Sequence, residues 1–445
     1  INFSRRTIIF PKILNRKASK IMKRGKLMAD IISGKSRFEG SDKINKDNKI
    51  IRLSGDDTYS GEVNKQAAQK IKKHRRNIVI GVLIALVLAA IAGVILYKYL
   101  DGRTYSSYTI STSYNRDDTE TAQYKEYGSG YVRYSNDGIT YIDRKNNSIW
   151  NETYSMQKPQ VKECGDCIAV GDINGSSIYI FDKNGLKGTV DTSLAISQIE
   201  VGSQGVVVAV LEDNTANYIN MYNTDGSKVY SIKTTLEGDG YPLDISISDD
   251  ATKLIASFVY VSGEEMKTNV VFYNFSEVGQ NETERVVGGF NHYDNTIVAD
   301  VEFVNDTTAV AVGENVVSIY NIKEYPSLSK EINIENSIEN VFWSSKYIGL
   351  ILDNSETGDL YKLVVYDLSG NKVTEKTFST QYDEIKFDSD SILLCSSNVW
   401  SVMNMNGKVL TTQTVELPID TVLTTGSRGS YVLINSKYIQ NIRMK

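Results

Sequence analysis

Asp244-Ile-Ser-Ile-Ser-Asp-Asp-Ala-Thr-Lys-Leu-Ile-Ala-Ser-Phe258 reads as strand, polar turn, strand. Its leading segment alternates apolar with polar residues, and its trailing segment is nearly all apolar. The scheme returns in Asp300-Val-Glu-Phe-Val-Asn-Asp-Thr-Thr-Ala-Val-Ala-Val312 and in Glu339-Asn-Val-Phe-Trp-Ser-Ser-Lys-Tyr-Ile-Gly-Leu-Ile-Leu352. It returns again in Glu384-Ile-Lys-Phe-Asp-Ser-Asp-Ser-Ile-Leu-Leu-Cys395. After such units comes a short apolar strand ending in Asp or Asn. That ending recurs at Asp143, Asp182, Asn223, Asn274, Asn321, Asp367, Asn404 and, most weakly, Asn441. The intervals of 39, 41, 51, 47, 46, 37 and 37 residues are those of a four-stranded propeller blade.

Working outward, hairpin turns follow several endings: Asn184-Gly185, Asp225-Gly226, Ser369-Gly370 and Asn406-Gly407. Each opens onto a Lys-bearing outer strand such as Lys372-Val-Thr-Glu-Lys-Thr-Phe378. The pattern predicts an all-β fold, an eight-bladed β-propeller over residues 120–445, with seven blades as the alternative if one repeat is irregular. The last blade has room for three strands before Lys445. Tyr105-Ser-Ser-Tyr-Thr-Ile-Ser-Thr112, in the juxtamembrane segment 98–119, would supply the fourth and close the ring. Closure leaves no long sheet edge exposed.

The segments ISISDDATKLIASF (245–258) and DVEFVNDTTAVAV (300–312) resemble the strand-turn-strand core of WD40-like and TolB-like propellers. VVYDLSGNKV (364–373) and IYIFDKNGLK (178–187) resemble the aromatic-x-Asp-x-x-Gly turn of quinoprotein-like blades. The whole arrangement of basic tail, apolar helix and degenerate propeller resembles an uncharacterised family of anchored propellers from clostridial Gram-positive bacteria. That resemblance implies a fold and a membrane tether, and no chemistry.

Ile78–Tyr97, IVIGVLIALVLAAIAGVILY, is free of charge, and thirteen of its twenty residues are Leu, Ile or Val. At 1.5 Å per residue it reaches about 30 Å, the depth of a bilayer's hydrocarbon core. Residues 1–77 carry 21 Lys+Arg against 7 Asp+Glu, and residues 98–445 carry 28 against 47. The basic cluster Lys70, Lys72, Lys73, Arg75 and Arg76 stands just ahead of the run. This asymmetry predicts a cytoplasmic N-terminus and an extracytoplasmic C-terminal domain. A cleaved signal peptide fits less well, because the apolar run continues past Ala90-Ile91-Ala92 and the segment before it is long. The tail is expected to be largely disordered. Met22 and Met28 are alternative starts, so 1–27 need not be translated. From Met28 the tail still holds 12 Lys+Arg against 7 acids.

The chemistry-bearing residues are few. Cys164-Gly-Asp-Cys167 falls on a hairpin turn, where three readings stay open: unpaired core thiols, a hairpin disulfide, or a redox or metal site. His292, in a segment read as a loop, is the one histidine beyond the helix, and no G-x-S-x-G elbow accompanies it. Acidic turns at Asp172-Ile-Asn-Gly175, Asp353-Asn-Ser-Glu-Thr-Gly-Asp359 and Asp388-Ser-Asp390 lack the twelve-residue calcium-loop pattern and read as tight turns. Trp150, Trp343 and Trp400 are not regularly spaced, against a quinoprotein dehydrogenase. The 28 tyrosines, dense from Tyr97 to Tyr154, read equally as a contact surface or as strand formers. No catalytic, cofactor or metal set is assigned. An outer domain of net −19 disfavours nucleic acid.

The expected role is a non-enzymatic binding or scaffold module at a bacterial cell envelope, tethered to the lipid bilayer and meeting a protein or a cell-wall glycan. A signal-transmitting receptor with a regulatory tail is one alternative. The other is an envelope polysaccharide hydrolase or lyase, which would need paired carboxylates in the propeller's mouth.

Overall fold

A computed structural model describes residues 57–118, 121–293 and 296–445. The expectation of a disordered tail over 1–56 lies outside the described residues. The chain divides into two compact units, residues 1–88 and 89–445.

A single α-helix runs Asp57–Asp101. Residues 57–77, expected as unstructured tail, are helical instead. Lys65-Gln-Ala-Ala-Gln-Lys70 consists of strong helix formers, and propensity there outweighs the lack of an apolar stripe. The helix is long and apolar enough over Gln69–Leu96 to cross a membrane. Its apolar side chains, Leu86 and Ile95 among them, are exposed. The basic cluster at 70–76 is exposed too.

Eight four-stranded antiparallel sheets follow. Blades 1 to 7 span residues 123–153, 159–191, 195–234, 241–293, 298–333, 338–378 and 384–414, each in simple meander order. Blade 8 takes three strands from 419–444 and its outer strand from Tyr108–Asn115. The closing strand pairs antiparallel with Tyr438–Met444, Tyr108 opposite Met444 and Asn115 opposite Tyr438. Eight blades are therefore present, and the propeller starts at Tyr108, ahead of residue 120.

The recurring Asp or Asn has a local cause. Asp367 Oδ1 accepts from the backbone N–H of Ser369 and Asn371, and Asn404 Oδ1 from those of Asn406 and Lys408. Asp143 does the same with Lys145 and Asn147. The residue caps the turn between a blade's third and fourth strands. Gly226, Gly370 and Gly407 complete such turns at φ of 80°, 77° and 75°, a region closed to most side chains. Two members depart from this: Asn321 lies inside its strand, Val316–Ile322, and Asn441 lies mid-strand and donates to Thr112 Oγ1 on the closing strand, 2.7 Å away. The 51-residue interval also has a cause: blade 4 carries a hairpin of two ten-residue strands, Lys253–Ser262 and Glu265–Asn274.

Apolar layers fill the gaps between blades. Tyr127, Val132, Ile139 and Tyr141 of blade 1 meet Ile168, Val170 and Phe181 of blade 2. Across the ring closure, Tyr131 and Ile142 meet Leu423, Val432, Ile434 and Ile439. Part of the tyrosine cluster is therefore spent in the core. Tyr127, Tyr131, Tyr141 and Tyr154 are all buried, as strand formers rather than as a contact surface.

Candidate functional site

The first strand of each blade faces the propeller axis. Its alternation puts apolar residues between blades, as at Val301 and Phe303, and polar ones in the channel, as at Asp300 and Glu302. Two chambers of about 640 Å³ each open there. One is lined by Lys125, Lys162, Glu200, Asp244 and Asp300, and the other by Glu126, Cys164, Asp249 and Ser345. Glu163, Glu302 and Trp343 line both.

Two ionic groups organise the wall. Lys386 Nζ lies 2.9 Å from Glu126 Oε1 and 2.7 Å from Glu384 Oε1. Glu126 also accepts from Thr424 N–H at 2.9 Å, and Glu384 from Thr421 Oγ1 at 3.0 Å. This group ties blades 7, 8 and 1 together beside the ring closure. Burial opposes ionisation of Glu126, but Lys386 and the Thr424 amide outweigh it and hold the carboxyl below its usual range.

The second group is acidic. Lys162 pairs with Glu200, while Asp244 accepts from Val301 N–H at 2.8 Å. Burial raises both Asp244 and Asp300, and repulsion from Asp300 raises Asp244 further; the two carboxyls lie close enough to share a proton. Burial and then Glu200 push Glu302 up to about 8. Glu200 itself is raised by burial. The sequence displayed these charges singly. Nothing local showed that residues as distant as Glu126 and Lys386 share one channel.

A rim network seals the closure. Arg116, just after the closing strand, pairs with Asp118 and Asp420 and donates to the Asn435 carbonyl at 3.1 Å. On the opposite rim Asp101, the last residue of the helix, is buried. Its carboxylate accepts from Asn404 Nδ2 at 2.9 Å, Asn406 Nδ2 at 3.2 Å and an Arg428 guanidinium nitrogen at 3.2 Å. Lys408 Nζ donates to the Gly102 carbonyl at 2.6 Å.

Of the residues singled out from sequence, Cys164 and Cys167 sit opposite each other across a hairpin and are free thiols. Cys164 Sγ donates to Asp249 Oδ1 at 3.4 Å, and Cys167 Sγ to the Ser203 carbonyl at 3.2 Å. Burial, followed by Asp249, pushes Cys164 up to about 12, which opposes thiolate formation. His292 is not in a loop. It lies in the outer strand Val286–Tyr293 of blade 4, with Nε2 2.9 Å from Glu331. It is exposed on that outer strand, away from the first strands that line the channel. Two of the acidic turns are backbone caps, Asp172 Oδ1 accepting from the N–H of Gln157 and of Lys158 and Asp353 from that of Ser355, while in the third Asp388 accepts from Tyr431 Oη at 2.9 Å and Asp390 pairs with Lys346 at 3.4 Å. Among the described residues no three His, Cys, Asp or Glu are grouped to hold a metal ion.

The closed ring of eight sheets around a polar axis defines the class: a β-propeller. The chain belongs to the DUF5711 family, a family of unknown function, whose model matches residues 101–444. No curated protein sequence matches it. Among solved structures, Sqt1 from Chaetomium thermophilum is 10% identical, with a TM-score of 0.51 over 76% of this chain and 100% of that one. Sqt1 from Saccharomyces cerevisiae is 10% identical, with a TM-score of 0.50 over 77% and 99%. BamB from Moraxella catarrhalis is 10% identical, with a TM-score of 0.48 over 76% and 100%. At these identities the likeness to Sqt1 shows the fold alone.

Proposed function

We propose that this chain is a membrane-tethered β-propeller that binds a protein or cell-wall glycan partner outside the cytoplasm of a Gram-positive, clostridial-type cell, without chemistry of its own. One observation carries the reading. The exposed apolar helix ends at Asp101, which is fixed to the propeller rim a few residues before the strand that closes the ring. Such a joint suits a rigid platform held at a surface. The cluster Lys70–Arg76 ahead of the apolar run supports a cytoplasmic N-terminus, because loops retained in the cytoplasm are rich in Lys and Arg.

Two measurements on the full chain in intact cells test it. In a background without native cysteines, an impermeant maleimide added outside should label Ser262→Cys, an exposed position, and spare Ser60→Cys until lysis. A photo-crosslinking residue at Ser345, in the channel mouth, should capture a partner in much higher yield than one at Lys330, on the outer strand of blade 5. Labelling of residue 60 from outside, or equal yields at the two crosslinking sites, would refute the proposal.

A further inference from the structure

The channel wall carries more carboxylates than its own amines engage. Lys162 is taken by Glu200, Lys386 by Glu126 and Glu384, and Lys125 by the Val161 carbonyl at 3.3 Å. Asp244 and Asp300 are near each other, with the Val301 amide on Asp244. Glu163 and Glu302 remain. Neither forms an ion pair or accepts a side-chain hydrogen bond among the described residues, yet both line both chambers. Glu302 is half-buried, and its side chain lines the channel. Such a group is costly to leave unpaired, because a charge inside a protein needs a partner or must take up a proton. The third residue shared by the chambers is Trp343, half-buried and without an aromatic neighbour in ring contact among the described residues. Two unpaired carboxylates and an indole lining the same chambers are the components of a site for organic ammonium groups, each of which offers three N–H donors and a charge that indole faces attract.

We propose that the channel binds a linear cation bearing spaced primary ammonium groups, seated along its wall by Glu163, Glu302 and Trp343. This deepens the binding-module reading and rests on it. The chambers lie within the usual span of ligand pockets, roughly 300–1,000 Å³. Two chambers that share Glu163, Glu302 and Trp343 in their lining suit a chain with charges along its length better than a compact ion. The ammonium groups belong either to a free polyamine or to lysine side chains on a partner protein, and the test separates these sources.

Calorimetric titration of the full chain in detergent uses two probes: spermidine, and a capped Gly-Lys-Gly-Lys-Gly peptide. Binding of spermidine alone assigns a free polyamine, and binding of the peptide alone assigns a partner's lysines. In either case Glu163→Gln/Glu302→Gln should weaken binding at least about tenfold, the effect of losing charge-assisted hydrogen bonds. The emission of Trp343, isolated against Trp343→Phe, should shift on titration. If the double variant does not fold, Glu163→Gln alone, at an open position, is the deciding measurement and should weaken binding at least about threefold. Neither probe binding more tightly than butylamine, or unchanged affinity in the folded variant, would overturn the assignment. Failure of amine binding with preferential crosslinking retained at Ser345 would remove only the ligand class. Loss of both would remove the binding-module reading as well.

Discussion

Trp400 lies on the third strand of blade 7 and is fully buried against the blade that closes the ring. Its ring centroid is 6.1 Å from that of Tyr108, on the closing strand, and 5.4 Å from that of Tyr431 in blade 8. Trp400→Ala should loosen this seam more than any other. A buried indole hides about 200 Å², which at ~25 cal/mol per Å² is about 5 kcal/mol. That is an upper bound, since the unfolded chain hides part of the surface, and large-to-small core changes at aromatic sites cost about 3–5 kcal/mol. About 4 kcal/mol is therefore expected. With roughly 340 residues unfolding at ~2.1 cal/mol/K each, the melting temperature should fall by about 5–6 °C. The indole N–H is buried without a partner, so Trp400→Phe removes a polar group that gains nothing and should cost only about 1 kcal/mol. Urea denaturation followed by circular dichroism reads both. A Trp400→Ala cost below about 1 kcal/mol, or equal costs for the two changes, would refute the packing of blade 7 on the closing blade.

Further outcomes follow from the channel and the thiols. Lys386→Met strands Glu126 and Glu384 and should destabilise by about 1–3 kcal/mol, less than for a dry pair because the channel is open; adding Glu126→Gln should recover most of the loss in denaturant melts. Burial, then Glu200, raises Glu302 to about 8 in the folded chain, against about 4.3 for unfolded Glu. The folded state then holds the extra proton between those values, so this group's contribution falls as pH rises through that window. The melting temperature should drop from pH 5 to 8.5, and Glu302→Gln should flatten the drop; a slope unchanged by the substitution would contradict the burial of that carboxyl. Burial pushes Cys164 and Cys395 up to about 12, so at pH 8 native-state alkylation should be at least about a hundredfold slower than for free cysteine. Rapid alkylation, followed by mass spectrometry, would show exposed reactive thiols instead.

What could be seen in the sequence was what local chemistry writes. The Asp or Asn that ends each third strand is visible because the turn it caps needs a short acceptor at that place, as at Asp367 and Asn404. The closing strand was legible because an incomplete last blade demands one. Three features were not. Helix propensity extends the helix back to Asp57 with no apolar period to announce it. The polar run Asn291-His-Tyr looked like a loop but continues an outer strand, where one face is wet. The channel was hidden because its members come from different blades. Lys386 and Glu126 meet only once the ring is closed, and alternation tells which face is polar without telling what that face meets.

The closure itself is open to one direct measurement. Thr109 on the closing strand stands opposite Arg443 in the last strand of the chain. In the full chain with Cys164, Cys167 and Cys395 replaced by alanine, Thr109→Cys/Arg443→Cys treated with a short bis-maleimide should yield a monomer with an internal crosslink. It would run differently from the uncrosslinked chain on a denaturing gel, and a peptide joining the two positions would appear in its digest. No crosslink, or crosslinks only between two chains, would contradict a ring closed by the strand that follows the helix.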